Sequence, residues 1–243
     1  MKNSNQPHPS FNDYIWSKLP NTFDLTNQCS ILQWAQPVAS VKLSFHNTFY
    51  LLDISRENCF ENTVIFDLQR GILKTAQTTR ELMRAMSWQA PYWQHQYIEQ
   101  VALMNQITCQ KLPFINGNVC LIPLSAVTQK STSWLSSVQL TDLARIGPKR
   151  TELNYLDLVH LIIPISFKRL QRQLNDSQRL QLALINTLIA QRQFNLPLGA
   201  VPLSQRCDRN MLCGFAQFAL ESYDYVVTKR EIERTTDNYF GKF

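Results

Sequence analysis

The sequence predicts an α+β protein: a mainly antiparallel β-sheet core with a short helix near residues 79–88 and helices in the C-terminal third. Three observations carry this. Tight-turn signals lie between apolar runs at Gln69-Arg70-Gly71 and at Asn116-Gly117, each the mark of a hairpin. Thr78 with Glu81 three residues on is a capping box, and Leu82, Met83 and Met86 follow it at helical spacing. After Pro164, Phe167, Leu170 and Leu174, and then Leu180, Leu184 and Leu188, recur at intervals of three to four.

Met1 to Ser10 is polar with two prolines and reads as a disordered tail. From Val38 to Asp53 the chain alternates apolar and polar residues around His46-Asn47, which predicts a hairpin with Val41, Leu43 and Phe45 on one face. His46 is then a turn residue and not a ligand. A second hairpin is expected over Asn62 to Lys74, with Val64 to Phe66 and Ile72 to Leu73 as arms. Tyr92 to Gln110 mixes β-branched and aromatic residues with glutamines, and a strand is expected from Gln100 to Cys109. His95 has no cysteine, serine or carboxylate at catalytic spacing and reads as structural.

The stretch Lys111 to Ser137 is the centre of the chain's organisation. A type I′ turn at Asn116-Gly117 needs positive φ at both central residues. Pro113 and Pro123 bracket it, so the arms stop pairing there or one of them lies at a sheet edge. A loop rich in Ser and Thr follows, carrying Lys130 and ending at Trp134. Trp134 reads as a core anchor because Leu135 and Val138 continue its apolar pattern; the opposing reading is an exposed wedge between bases. Leu135 to Ile146 and Thr151 to Ile163 read as strands around a turn at Gly147-Pro148-Lys149-Arg150. Pro164 suits a first helical turn, and Asn175-Asp176-Ser177 is a point where the helical run divides in two. Asn195 to Pro202 is a breaker-rich linker, Met211 to Val227 has helical spacing, and Thr228 to Phe243 frays. The expected division is a tail over 1–10, a domain over 11–195 and a helical extension over 196–243.

At 243 residues and 44% hydrophobic content the chain is long enough to bury a core. A net charge of +6 permits binding to nucleic acid or to anionic lipid without requiring either. The N-terminus has no signal pattern and no apolar run approaches a membrane span, so a cytoplasmic protein with no membrane partner is expected. The six cysteines show no Cys-x-x-Cys and no matching histidine pair, so no metal is expected. With six glycines, no phosphate-binding loop and no Ser, His and Asp arrangement, no cofactor and no enzymatic activity are expected.

What remains is cations. Arg80 and Arg84 share a face of the helix, as phosphate contacts or as a solvated surface. Lys149 and Arg150 lie at an exposed turn, and Lys168, Arg169, Arg172 and Arg179 form a stripe opposite the apolar face of their helix. The candidate phosphate contacts are therefore Arg80, Arg84, Lys130, Lys149, Arg150, Lys168, Arg169 and Arg172.

Over Lys111 to Ser137 the order is Lys-x-Pro, a short apolar run, Asn, an apolar run into Pro123, a Ser/Thr-rich loop and Trp134-Leu135-Ser136. This resembles the signature region of the ComK family, the competence transcription factors of low-GC Gram-positive bacteria. Thr79-Arg80 to Trp88 is similar to that family's Cys-Arg-aromatic-Gly-Ser-Ser-Tyr stretch in Arg80, Ser87 and the aromatic at 88. Ile163-Pro164-Ile165-Ser166-Phe167 resembles its Leu-Pro-Ile-Ser segment. The likeness runs from about Val64 to Gln191. Two positions depart: Gln129-Lys130 stands where the pattern has an arginine, and Thr132-Ser133 where it has Cys-Gly. The resemblance implies a transcriptional activator of DNA-uptake genes that binds paired AT-rich boxes in promoter double-stranded DNA, largely through the minor groove. It further implies a homodimer or dimer of dimers on DNA, RNA polymerase as a partner, and delivery to a protease by a proteolytic adaptor. The alternative is a regulatory protein-interaction module or relic that does not itself bind DNA.

Overall fold

The computed structural model describes residues 11–57, 59–89, 95–107, 111–125 and 131–193. From the N-terminus come α1 (Asp13–Trp16), β1 (Thr22–Asp24), α2 (Gln28–Leu32), β2 (Gln36–Pro37), β3 (Thr48–Asp53), β4 (Thr63–Asp67), β5 (Gly71–Thr75) and α3 (Thr79–Ser87). There follow α4 (His95–Met104), β6 (Phe114–Asn116), β7 (Val119–Pro123), β8 (Trp134–Ser136), β9 (Leu140–Gly147), β10 (Arg150–Tyr155), β11 (Val159–Ile163) and α5 (Phe167–Gln193). The strands make a four-stranded sheet, β1-β11-β10-β9, and a seven-stranded sheet, β2-β5-β4-β3-β8-β7-β6. Pairing is antiparallel except between β1 and β11 and between β2 and β5. The class is α+β with antiparallel-rich sheets.

The larger sheet is buried on both faces, which is why its strands read as continuous apolar runs. Period-two alternation sorts them. Leu51, Ile65, Leu73, Val119, Leu121 and Trp134 face one way, where Leu82, Met83 and Met86 of α3 cover them together with Val41 and Leu43. Leu52, Val64, Phe66, Cys120, Ile122 and Leu135 face the other way, towards the smaller sheet, α4 and α5. Phe23 meets Phe66 and Phe49 meets Tyr155 across this inter-sheet core, with ring centroids 5.7 and 4.7 Å apart. Helices α3 and α5 therefore lie on opposite faces of one sheet.

The hydroxyl of Tyr155 is buried in that core with no hydrogen-bond partner among the described residues. Burial and the neighbouring Tyr50 push its pKa well above the ordinary tyrosine value. An unpaired buried hydroxyl costs about 1 to 3 kcal/mol, so Tyr155→Phe is expected to raise stability by about 1 kcal/mol in a denaturant titration. A lower midpoint would show that the hydroxyl is satisfied.

Several elements differ from the sequence expectation, each for a nameable reason. Val38 to Phe45 is not a strand: β3 already has β4 on one edge and β8 on the other, so no edge is open to it. The segment instead crosses the sheet's α3-covered face, burying Val41 and Leu43 with Phe45 packed against them, and the Val41 N–H donates to Gln77 Oε1 at 2.9 Å. The strand expected over Gln100 to Cys109 is instead the end of helix α4 up to Met104, with residues 108–110 outside the described residues. Its Ile98, Val101 and Ala102 recur at helical spacing and are buried. It ends in a Schellman motif, with Gln106 at φ 54° and bonds from Ile107 N to Ala102 O (2.8 Å) and from Gln106 N to Leu103 O (3.1 Å).

In the central hairpin Asn116 pairs with Val119, so the turn residues are Gly117 and Asn118. Among these only Gly117 has positive φ, at 58°, the pattern of a type II′ turn rather than I′. The second hairpin forms as expected on Gly71, whose φ is 77°. Leu135 to Ile146 is two strands in different sheets, β8 and β9. Thr151 to Ile163 is also two, turning at Leu156 and Asp157, both at φ 55°. The helix α5 runs unbroken through Asn175-Asp176-Ser177, with the Ser177 side chain buried on its inner face. The short elements α1, β1, α2 and β2 were not anticipated. The tail over 1–10 and the extension over 196–243 lie outside the described residues.

Candidate nucleic-acid interface

The site is built at the end of the larger sheet where β7 leaves and β8 enters. Pro123 pairs with Trp134, and Leu124 N donates to Ser133 O at 2.9 Å. The Ser125 N–H and hydroxyl both donate to Thr132 Oγ1, at 2.9 and 2.6 Å, closing the base of the polar loop. Thr132 N donates to the buried Thr79 Oγ1 at 3.2 Å, which ties the loop to the start of α3. Asp53 N donates to Ser133 Oγ at 3.0 Å, which ties it to β3. Thr132 and Ser133 are thus the residues whose hydroxyls brace this loop. Lys130 and Gln129 lie outside the described residues.

Three segments converge on that base. Arg80 follows Thr79 directly and is exposed, as is Arg84 one turn on. The capping box is formed, with Glu81 N donating to Thr78 Oγ1 and Thr78 N to Glu81 Oε2 at 3.2 and 2.7 Å. The Thr78 N–H and hydroxyl, both donating to Glu81 Oε2, hold the Glu81 carboxyl below its usual pKa. Lys111, half-buried, donates from Nζ to Leu124 O. Burial, reinforced by the nearby Arg169 charge, lowers its pKa to about 8. From α5, Gln173 donates to Pro123 O, and Gln181 reaches Gly117 O at 2.9 Å, so the helix runs antiparallel to β7 from the loop base to the hairpin tip.

The smaller sheet adds its own cations. Thr151 pairs with Ile163 and its hydroxyl donates to Ile165 O at 2.7 Å, so the β9–β10 turn and the first turn of α5 lie at the same end. Lys149, Lys168 and Arg169 are exposed there. Arg150 is also exposed but its Nη2 is 2.5 Å from Asp24 Oδ2. Burial pushes the Asp24 carboxyl up, and hydrogen bonds from Thr26 with the Arg150 charge outweigh it, leaving the pKa lowered. Arg172 and Arg179 are exposed further along α5, each 3.9 Å from Asp176.

The contacts therefore put Arg80 at the loop-base end on the α3 face and Lys149, Lys168 and Arg169 at the same end on the α5 side, while Arg84 runs away along α3 and Arg172 along α5. Two features escaped the sequence reading. Lys111 is a cation whose setting depends on Leu124 and Arg169, both distant in sequence. Trp88 is 79% exposed whereas Trp134 is 5% exposed. The helical spacing of Leu82, Met83 and Met86 was the signal available for Trp88, since it puts position 88 off their face. Among the described residues no group of three His, Cys, Asp or Glu side chains is gathered, and no helix is long and apolar enough to cross a membrane. No protein-family model, curated protein or solved structure matches the chain.

Proposed function

We propose that this chain is a cytoplasmic, DNA-binding transcriptional activator that recognises AT-rich duplex, largely through the minor groove, and that its targets are DNA-uptake genes. One observation carries the reading: the exposed cations Arg80, Lys149, Lys168 and Arg169 and the half-buried Lys111 lie at one end of the fold, as phosphate contacts require. The ComK resemblance supplies the AT-rich preference, dimers on the promoter, RNA polymerase and a proteolytic adaptor. Minor-groove edges barely separate A·T from T·A, so selectivity would come from groove width, bendability and box spacing. A second reading, a protein-interaction module that does not bind DNA, draws on Leu103, Met104 and Leu182, exposed apolar side chains on the contacting helices α4 and α5.

A gel-shift titration on AT-rich and GC-rich duplexes of equal length separates the two. Specific binders exceed their own non-specific affinity by about 10³ or more, so a preference of at least about 100-fold for the AT-rich duplex is expected. A ratio near one sinks the proposal.

A further inference from the structure

We propose that Trp88 is the side chain that enters the DNA groove, laying its indole against base faces while Arg84 holds a phosphate on the groove wall and Arg80 one beyond it. This rests on the DNA-binding reading above and names a contact that the reading does not contain.

Leu82, Met83 and Met86 are buried in the core beneath the helix. Arg80, Arg84 and Trp88 recur every four residues, so each is turned by only about 40° from the last. Their stripe lies nearly opposite the buried one, and all of them are exposed.

Trp88 is the C-cap of the helix in αR geometry, its N–H donating to Arg84 O at 3.3 Å, so its backbone is held by the helix. Its indole nevertheless takes almost no burial from the fold, being 79% exposed, while Trp16 and Trp134 are 4% and 5% exposed. Single exposed apolar residues are ordinary and by themselves mean nothing. Two guanidinium groups in line with this one change the chemistry, because the surface then offers an aromatic plane beside positive charge. Glu81, the acidic residue of α3, has its carboxylate committed to the N–H and hydroxyl of Thr78, at 2.7 and 3.0 Å.

That combination fits a polyanion with stacked aromatic faces, which is a nucleic acid. At a rise of 1.5 Å per residue Arg84 stands about 6 Å and Arg80 about 12 Å from Trp88 along the helix axis. A minor groove is about 6 Å wide, so an indole placed within it leaves Arg84 over one phosphate wall and Arg80 beyond it. Inserting an apolar side chain between base steps is a recognised way to kink a duplex from the minor groove. Arg80 then joins this stripe to the cations at the loop end.

Trp88→Ala, Trp88→Phe and Arg84→Ala, each in the full chain, test this on the AT-rich duplex with salt-dependent affinity and intrinsic fluorescence as readouts. Base-aromatic stacking is worth about 1 to 3 kcal/mol per base, so Trp88→Ala is expected to weaken binding by about 5- to 150-fold. Its salt slope stays at the parental value because no charge is lost, whereas Arg84→Ala lowers the slope by about 0.9. Trp88→Phe keeps most of the affinity but loses the DNA-induced quenching. Parental affinity in Trp88→Ala overturns this inference alone. A parent chain that binds neither duplex overturns it together with the DNA-binding reading.

Discussion

Trp134→Ala is expected to lower the melting midpoint by on the order of 10 °C and to abolish DNA binding in the same step. Trp134 is the first residue of β8, paired with Pro123 of β7 on one side and aligned with Leu51 of β3 on the other. Its indole is 5% exposed and belongs to the cluster with Leu51, Ile65, Leu82, Phe114 and Leu121. Truncating a buried tryptophan to alanine costs about 3 to 5 kcal/mol, against a usual margin of about 5 to 15 for a domain. In a domain of this size each kcal/mol moves the midpoint by about 2 to 4 °C. The loss falls where β8 and α3 meet, next to the Thr132–Thr79 bond that ties the loop base to Arg80. Trp134→Phe keeps an aromatic in the cluster and is expected to fall between. Thermal melts with a gel shift on each variant decide it: an unchanged midpoint with lost affinity would make Trp134 a contact residue and not a core one.

What was legible in the sequence is what local chemistry determines. The capping box at Thr78 and Glu81, the glycine turn at Gly71 and the apolar face of α5 all depend on residues a few positions apart, and all form. Residues whose fate depends on distant partners were not legible. Val38 to Phe45 alternates as a strand does, but whether an edge of β3 is free is settled by β4 and β8. Ile98 and Val101 have strand propensity, yet their burial comes from packing in the inter-sheet core as one face of a helix. Leu156 and Asp157 take positive φ without glycine, so no turn signal marked them. The candidate site divides in the same way. Exposed cations on α3 and α5 follow from helical spacing, but the convergence of α3, Lys111, the β9–β10 turn and α5 on one end follows from topology alone. Trp88 and Trp134 are the same residue type, and only their positions relative to α3 make one exposed and the other core.

The combined variant Arg80→Ala, Lys149→Ala, Lys168→Ala and Arg169→Ala is expected to lower the slope of log affinity against log salt by about 3.6. Each phosphate contact on duplex DNA contributes about 0.9, because neutralising a phosphate releases the counterions condensed on it. The choice of cations follows from the geometry. These side chains share one end of the two sheets and are exposed, whereas Arg150 is partnered by Asp24 and Arg172 lies beside Asp176. Partnered cations give up part of their attraction for phosphate, so Arg150→Ala and Arg172→Ala should each move the slope less than Arg80→Ala does. Binding to AT-rich and GC-rich duplexes should weaken alike, because phosphate contacts carry no base information. Lys111 supplies a pH signature at the same end. Its pKa is lowered to about 8 by burial and by Arg169, and an incoming phosphate favours the charged form, so a proton is taken up on binding. Affinity should then fall as pH rises through about 8, and Lys111→Met should flatten that fall while weakening binding at pH 7. A parental slope in the combined variant would reduce the basic end of this fold to a solvated surface, and a pH profile unchanged by Lys111→Met would remove Lys111 from the interface.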